Sequence, residues 1–215
     1  MTELNVEAIG GGPILQKAMK AWGQGDIEGV LWCMSNESHI RFILGNIGQL
    51  KDRGLYEKAL LHAYTSTRTN HSCWGLKTLR LLFRIADIEK LRKTGDPIPN
   101  QDTFTLYRGV SGVGKERRVN GFSWTESPHI AAWFAMRFSS SLPDPAVFTV
   151  TVPHDSVMAC INDRNEREYL ISLPLPTRPK RLKIMPEPFK EPIDLLTLKA
   201  EFSVELAKRR GENSE

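Results

Sequence analysis

At Gly95-Asp96-Pro97-Ile98-Pro99-Asn100 the hydrophobic period of the chain changes, and that change limits the fold more than any other feature. Before it, apolar residues recur at helical steps. Pro13 suits a first helical turn, and Ile14, Ala18 and Trp22 follow at four-residue intervals. Asp26 is placed to cap a second helix bearing Ile27, Val30, Leu31 and Met34. Tyr56 to Tyr64 reads as a short helix, and Leu76 to Leu91 as the strongest one, with Leu79, Leu82, Phe83, Ala86 and Ile88 on a broad apolar stripe. Lys77, Arg80, Arg84, Lys90, Arg92 and Lys93 cover the rest of that helix, a pattern that by itself describes a solvated face.

After the break the period is two. Thr103-Phe104-Thr105-Leu106-Tyr107-Arg108 alternates and is rich in strand formers. Asn120-Gly121 signals a turn, and Ser127-Pro128 opens a helix with Ser at the cap. Ile130, Phe134 and Phe138 form one face of that helix, with Ala131 and Ala135 beside it. Further strands are expected at 145–152, 157–160 and 168–173, another at Leu182-Ile184, a last helix over Leu195 to Arg209, and a disordered end from Gly211 to Glu215. The order predicts an α+β protein: an N-terminal helical region over 1–100 and a strand-rich region over 101–215, together one compact unit.

Composition narrows the classes. A chain of 215 residues suffices for a real core, and its net charge of +4 permits an anionic partner without requiring one. The first residues lack the basic and apolar regions of a secretory signal, and no apolar run reaches the length of a membrane span, so no membrane partner is expected. Three cysteines at unrelated spacings argue against a disulfide framework and fit a reducing cytoplasm. His62, His71 and Cys73 lack the usual spacing of a zinc site.

Two segments invite chemical readings. Gly109-Val110-Ser111-Gly112-Val113-Gly114-Lys115 imitates a phosphate-binding loop, but that chemistry needs a hydroxyl residue after the lysine and a helix starting there. Glu116 follows instead, and Arg117-Arg118-Val119-Asn120-Gly121 heads for a turn. The second segment is Glu166-Arg167-Glu168. Two carboxylates two residues apart on a strand share a face, and like charges so placed are costly unless a cationic group or transition state uses them. A solvated strand start is the plainer alternative.

Taken in order, Leu106-Tyr107-Arg108-Gly109, then Gly121-Phe122-Ser123-Trp124-Thr125-Glu126-Ser127 with its following helix, then Glu166-Arg167-Glu168-Tyr169-Leu170-Ile171, resemble the Arg–Ser–Glu branch of the ADP-ribosyltransferases. The likeness covers about residues 103 to 185. It departs where Trp124 interrupts the Ser-Thr-Ser form usual in the second motif. The resemblance implies two small mixed sheets, roughly perpendicular, clasping NAD as substrate, with a helical layer in front. It implies Arg108 on the NAD diphosphate, flanked by Tyr107 and Gly109. It further implies Ser123 or Thr125 fixing the catalytic Glu168, Trp124 bordering the same site, and Glu166 preparing the acceptor. Tyr107, Trp124 and Trp133 also suit core packing. No metal is implied. The acceptor would be a macromolecule, protein arginine by analogy or RNA or DNA, in a toxin or a phage or defence modifier whose antitoxin the residues do not name. A non-catalytic module holding NAD or nucleic acid is the alternative.

Overall fold

The computed structural model describes residues 4–66, 74–137, 139, 141–162 and 166–188. The helix expected over Leu195 to Arg209, the tail from Gly211, and His71 and Cys73 lie outside these residues. Seven described α-helices precede the break: α1 (Pro13–Gln24), α2 (Ile27–Leu31), α3 (His39–Gly45), α4 (Ile47–Asp52), α5 (Tyr56–Ser66), α6 (Gly75–Arg84) and α7 (Ile88–Thr94). After it come β1 (Thr103–Val110), β2 (Ser123–Thr125), α8 (Pro128–Met136), β3 (Ala146–Pro153), β4 (Val157–Ile161), β5 (Glu168–Ile171) and β6 (Lys180–Arg181).

The caps follow the sequence. The Asp26 side chain accepts from the Gly29 N–H at the start of α2, and Ser127 accepts from the Ile130 N–H at the start of α8. The expected single helix from Leu76 to Leu91 is instead two. Asp87 caps α7 by accepting from the Glu89 and Lys90 N–H groups, and its own N–H is taken by the buried Glu57 carboxylate at 2.9 Å. Two acids thus satisfy the donors that a continuous helix would have paired with its own carbonyls.

The strands form one six-stranded sheet in the order β4-β5-β2-β1-β3-β6, and every described pairing is antiparallel. This departs from the two mixed sheets expected. The cause lies in β2, whose short backbone pairs with β5 on one side and β1 on the other. The join is narrow: Tyr107 opposite Thr125 is the one registered pair between β1 and β2, whereas β1 and β3 pair along their whole length from Thr103 to Val110. The last described strand falls at Lys180–Arg181, earlier than expected, on the free edge of β3.

Both faces are covered. On one, α2, α3, α5, α6 and α7 share a core with Phe122, Met158, Ala159, Ile161 and Leu170 of the sheet region. On the other, Phe104, Leu106, Trp124, Val150, Val152, Tyr169 and Ile171 pack together. Helix α8 lies on β1 and β3 by a face of Ala131, Ala132 and Ala135, all fully buried, rather than by Ile130 and Phe134, which are only half-buried. Close approach explains the choice. A Cβ at Gly109 would stand 1.7 Å from the Ala131 carbonyl oxygen and 2.6 Å from the Ala135 nitrogen. Larger side chains have no room there.

Candidate active site

The narrow join between β1 and β2 positions the site. A cleft of about 240 Å³ opens there, lined by Tyr64, Tyr107, Arg108, Gly109, Ser123, Trp124, Thr125, Ala131, Phe134, Glu166 and Glu168. All eight residues singled out from the sequence therefore border one cavity, although they do so in different ways. Alternation puts Tyr107 and Arg108 on opposite pleats of β1. Both reach the cleft because the two strands share only that single registered pair.

Glu168 opens β5 opposite Thr125, and Ser123 lies diagonally across on the same face. The Ser123 hydroxyl donates to Glu168 Oε1. A hydrogen bond to a carboxylate contributes about 1.5–3 kcal/mol and fixes the acid's rotamer. Thr125 holds the backbone instead: its Oγ1–H donates to the Glu166 carbonyl at 2.8 Å, and the Ser127 N–H donates back to it at 3.2 Å. Of the two hydroxyl residues weighed in the sequence, Ser123 is the one on the acid.

Glu166 reaches the cleft by a route other than the one expected. Strand β5 begins at Glu168, and Arg167 has φ 46°, so the segment turns before it extends. Strand alternation therefore does not bring the two carboxylates together. The turn is held by the Thr125 bond and by Arg167, whose guanidinium donates to Glu126 Oε1 at 2.7 Å while the Tyr169 hydroxyl donates to Glu126 Oε2 at 2.9 Å. Arg167 is thus drawn away from the acids it separates.

Arg108 is fastened to two backbone carbonyls. Its Nε–H donates to the Arg118 carbonyl at 3.3 Å and its Nη1–H to the Ser123 carbonyl. Burial lowers its proton affinity, against the opposing pull of Tyr64 and Glu168. Arginine keeps its charge through such a shift. A Cβ at Gly121 would lie 2.6 Å from Arg108 Nη2, so the glycine makes the space that the guanidinium fills. Trp124 borders the cleft but belongs to the core. Its ring is 2 % exposed in the core behind the sheet, and its indole N–H donates to the Gly121 carbonyl at 2.9 Å. The interruption of the second motif therefore points away from the cleft and leaves Ser123 on Glu168.

Tyr64, from the last turn of α5, is the site residue that the sequence reading missed. It is buried against Phe83 at 5.4 Å and Phe122 at 6.3 Å between ring centres, and it lines the cleft together with Ser123 and Glu168. Burial, then the nearby Glu168, push its phenol up to about 12. It therefore keeps its proton. An aromatic at helical apolar spacing carries no signal beyond packing, which is why this residue was not legible.

The phosphate-loop imitation is built differently from its namesake. Gly109 belongs to β1, no helix follows Lys115, and the loop is pinned sideways. The Gly112 N–H donates to the Pro143 carbonyl at 2.6 Å, and Arg117 and Arg181 both grip Asp144. Hydrogen bonds from Arg181, then Arg117, hold the Asp144 carboxyl down at about 2. No helix of the described residues is long and apolar enough to cross a membrane. No protein-family model, curated protein or solved structure matches the chain.

Proposed function

We propose that this chain is a mono-ADP-ribosyltransferase with an ADP-ribosyltransferase-like cleft, moving ADP-ribose from NAD to a macromolecular acceptor. The observation that supports the reading is the meeting of Arg108, Ser123 and Glu168, with Glu166 beside them, in a single cleft. Typical small-molecule sites span roughly 300–1,000 Å³. The cleft, at about 240 Å³, suits the nicotinamide riboside end of NAD, with the diphosphate and adenosine along its open side.

The roles follow from charge and reach. As the carbon–nitrogen bond to nicotinamide breaks, the leaving ring takes the bonding pair and the ribose becomes cationic at C1′. The Glu168 carboxylate, held by Ser123, stabilises that charge without having to reorganise. Arg108, with two of its N–H groups already on backbone carbonyls, turns its remaining donors to the diphosphate. Glu166 takes the proton of the acceptor nucleophile as that group attacks C1′. Protein arginine is the acceptor suggested by the Glu-x-Glu pattern, and RNA or DNA is the variant.

Incubation with labelled NAD and a cell extract, beside Glu168→Gln, tests the reading. Label on a nuclease-resistant, protease-sensitive band that is absent from the variant supports transfer to protein, and label removed by nuclease moves the acceptor to nucleic acid. NAD binding without nicotinamide release in extracts of several hosts would sink the proposal in favour of a binding module.

A further inference from the structure

A second, larger cavity lies directly behind the candidate active site. It measures about 590 Å³ and runs between α6 and the ends of β4 and β5. Its floor is apolar: Phe83, Phe122 and Met158 are each at most 3 % exposed, with Leu173 and Pro174 at one end. Its rim is cationic. Lys77, Arg80 and Arg84 stand three and four residues apart on α6, hence on one helix face, and all three are exposed. Among the described residues, no carboxylate lies within ion-pairing distance of any of them. Elsewhere the chain pairs its arginines freely, as at Arg92 with Glu89, Arg167 with Glu126 and Arg181 with Asp144. Between the cations, Leu81 is 42 % exposed at the groove wall.

We propose that this groove docks an acidic peptide segment of a partner protein, with apolar side chains against Leu81, Ile88, Leu173 and Pro174 on its accessible wall and carboxylates on Lys77, Arg80 and Arg84. Charge complementarity requires an anionic occupant. The chemistry of the floor then separates a peptide from a nucleic acid. A single strand needs exposed aromatic faces for its bases, and the two phenyl rings here are 2 % and 3 % exposed. Reading of base edges needs several polar side chains, and among the described residues Ser172 is the one uncharged polar residue lining the groove. Apolar anchors flanked by acids match both surfaces, in the way that grooves accept the apolar face of a helix.

The test uses the full chain, no NAD, and an array of synthetic peptides in which glutamate and leucine content vary independently. Its outcome is thus separate from that of the transferase assay. Binding is expected only where both residue types are present. Arg80→Glu/Arg84→Glu should weaken Kd roughly tenfold or more. Leu81→Lys, which leaves those cations in place, should weaken it through the apolar wall. Four results would each overturn the proposal: no peptide bound, binding that needs leucine alone, binding unchanged in the charge-reversed chain, or tighter binding of oligouridylate than of any peptide.

Discussion

The cleft and the groove stand back to back on the rings of Tyr64, Phe83 and Phe122, and they treat charge in opposite ways. In the cleft, Arg108 is tied to backbone carbonyls and Glu168 is held by Ser123. In the groove, Lys77, Arg80 and Arg84 face solvent with no described carboxylate beside them. Charge that its neighbours hold in place does geometric work, since it is already aimed when a ligand arrives. Charge left unneighboured acts on encounter, by raising the local concentration of a partner of opposite sign.

Substitutions sharpen the contrast, beginning with the largest effect. Glu168→Gln should lower ADP-ribose transfer by roughly 10²–10³-fold, the scale for a lost transition-state partner. NAD binding should change little, and a calorimetric NAD titration beside the transfer assay separates the two. Gly109→Ala should cost about 1–3 kcal/mol of stability in urea titration, because the new methyl meets α8 backbone that no rotamer change can move. Gly121→Ala meets only the end of the Arg108 side chain. It should leave the urea midpoint near wild type and weaken NAD binding roughly tenfold, since a misplaced fork loses its bidentate grip. An unchanged Kd would deny Arg108 the diphosphate.

The pH dependence of Tyr64 runs one way. Its phenol is raised from 10.0 to about 12 in the folded chain, so the folded state holds this proton longer than the unfolded state. The contribution is therefore fully present below pH 10 and lost as pH rises towards 12. Tyr64→Phe should be the less stable protein at neutral pH, and urea midpoints should converge with wild type across that alkaline window. A gap that widened instead would show that burial and Glu168 do not hold the Tyr64 proton. The smallest effect belongs to the groove: Arg80→Glu/Arg84→Glu should shift stability by no more than about 0.5 kcal/mol, as exposed substitutions do. Nicotinamide release should stay at the wild-type rate.

The same contrast explains what was legible in the sequence. Strand alternation from Thr103 and the caps at Asp26 and Ser127 are local rules, and the structure obeys them. The order of Arg108, Ser123 and Glu168 along the chain was legible because each sits at a strand position where pleat and register leave little freedom. Three things depended on distant partners and were not. Tyr64 enters the cleft because α5 packs against Phe83 and Phe122. The kink at Asp87 needs Glu57 from another helix. The choice of alanines over Ile130 and Phe134 as the buried face of α8 depends on Gly109 across the gap.

That gap carries a consequence for variation. Gly109, Ala131 and Ala135 come from separate parts of the chain yet answer to one dimension, the spacing between β1 and α8. None can accept a larger side chain unless the helix retreats, and a retreating helix takes Phe134 away from the wall of the cleft. The three positions behave as one unit of inheritance. In a library randomised at all three, survivors should keep the glycine and vary the alanines only within the smallest side chains. Any line that replaced Gly109 would have to rebuild its cleft in the same step.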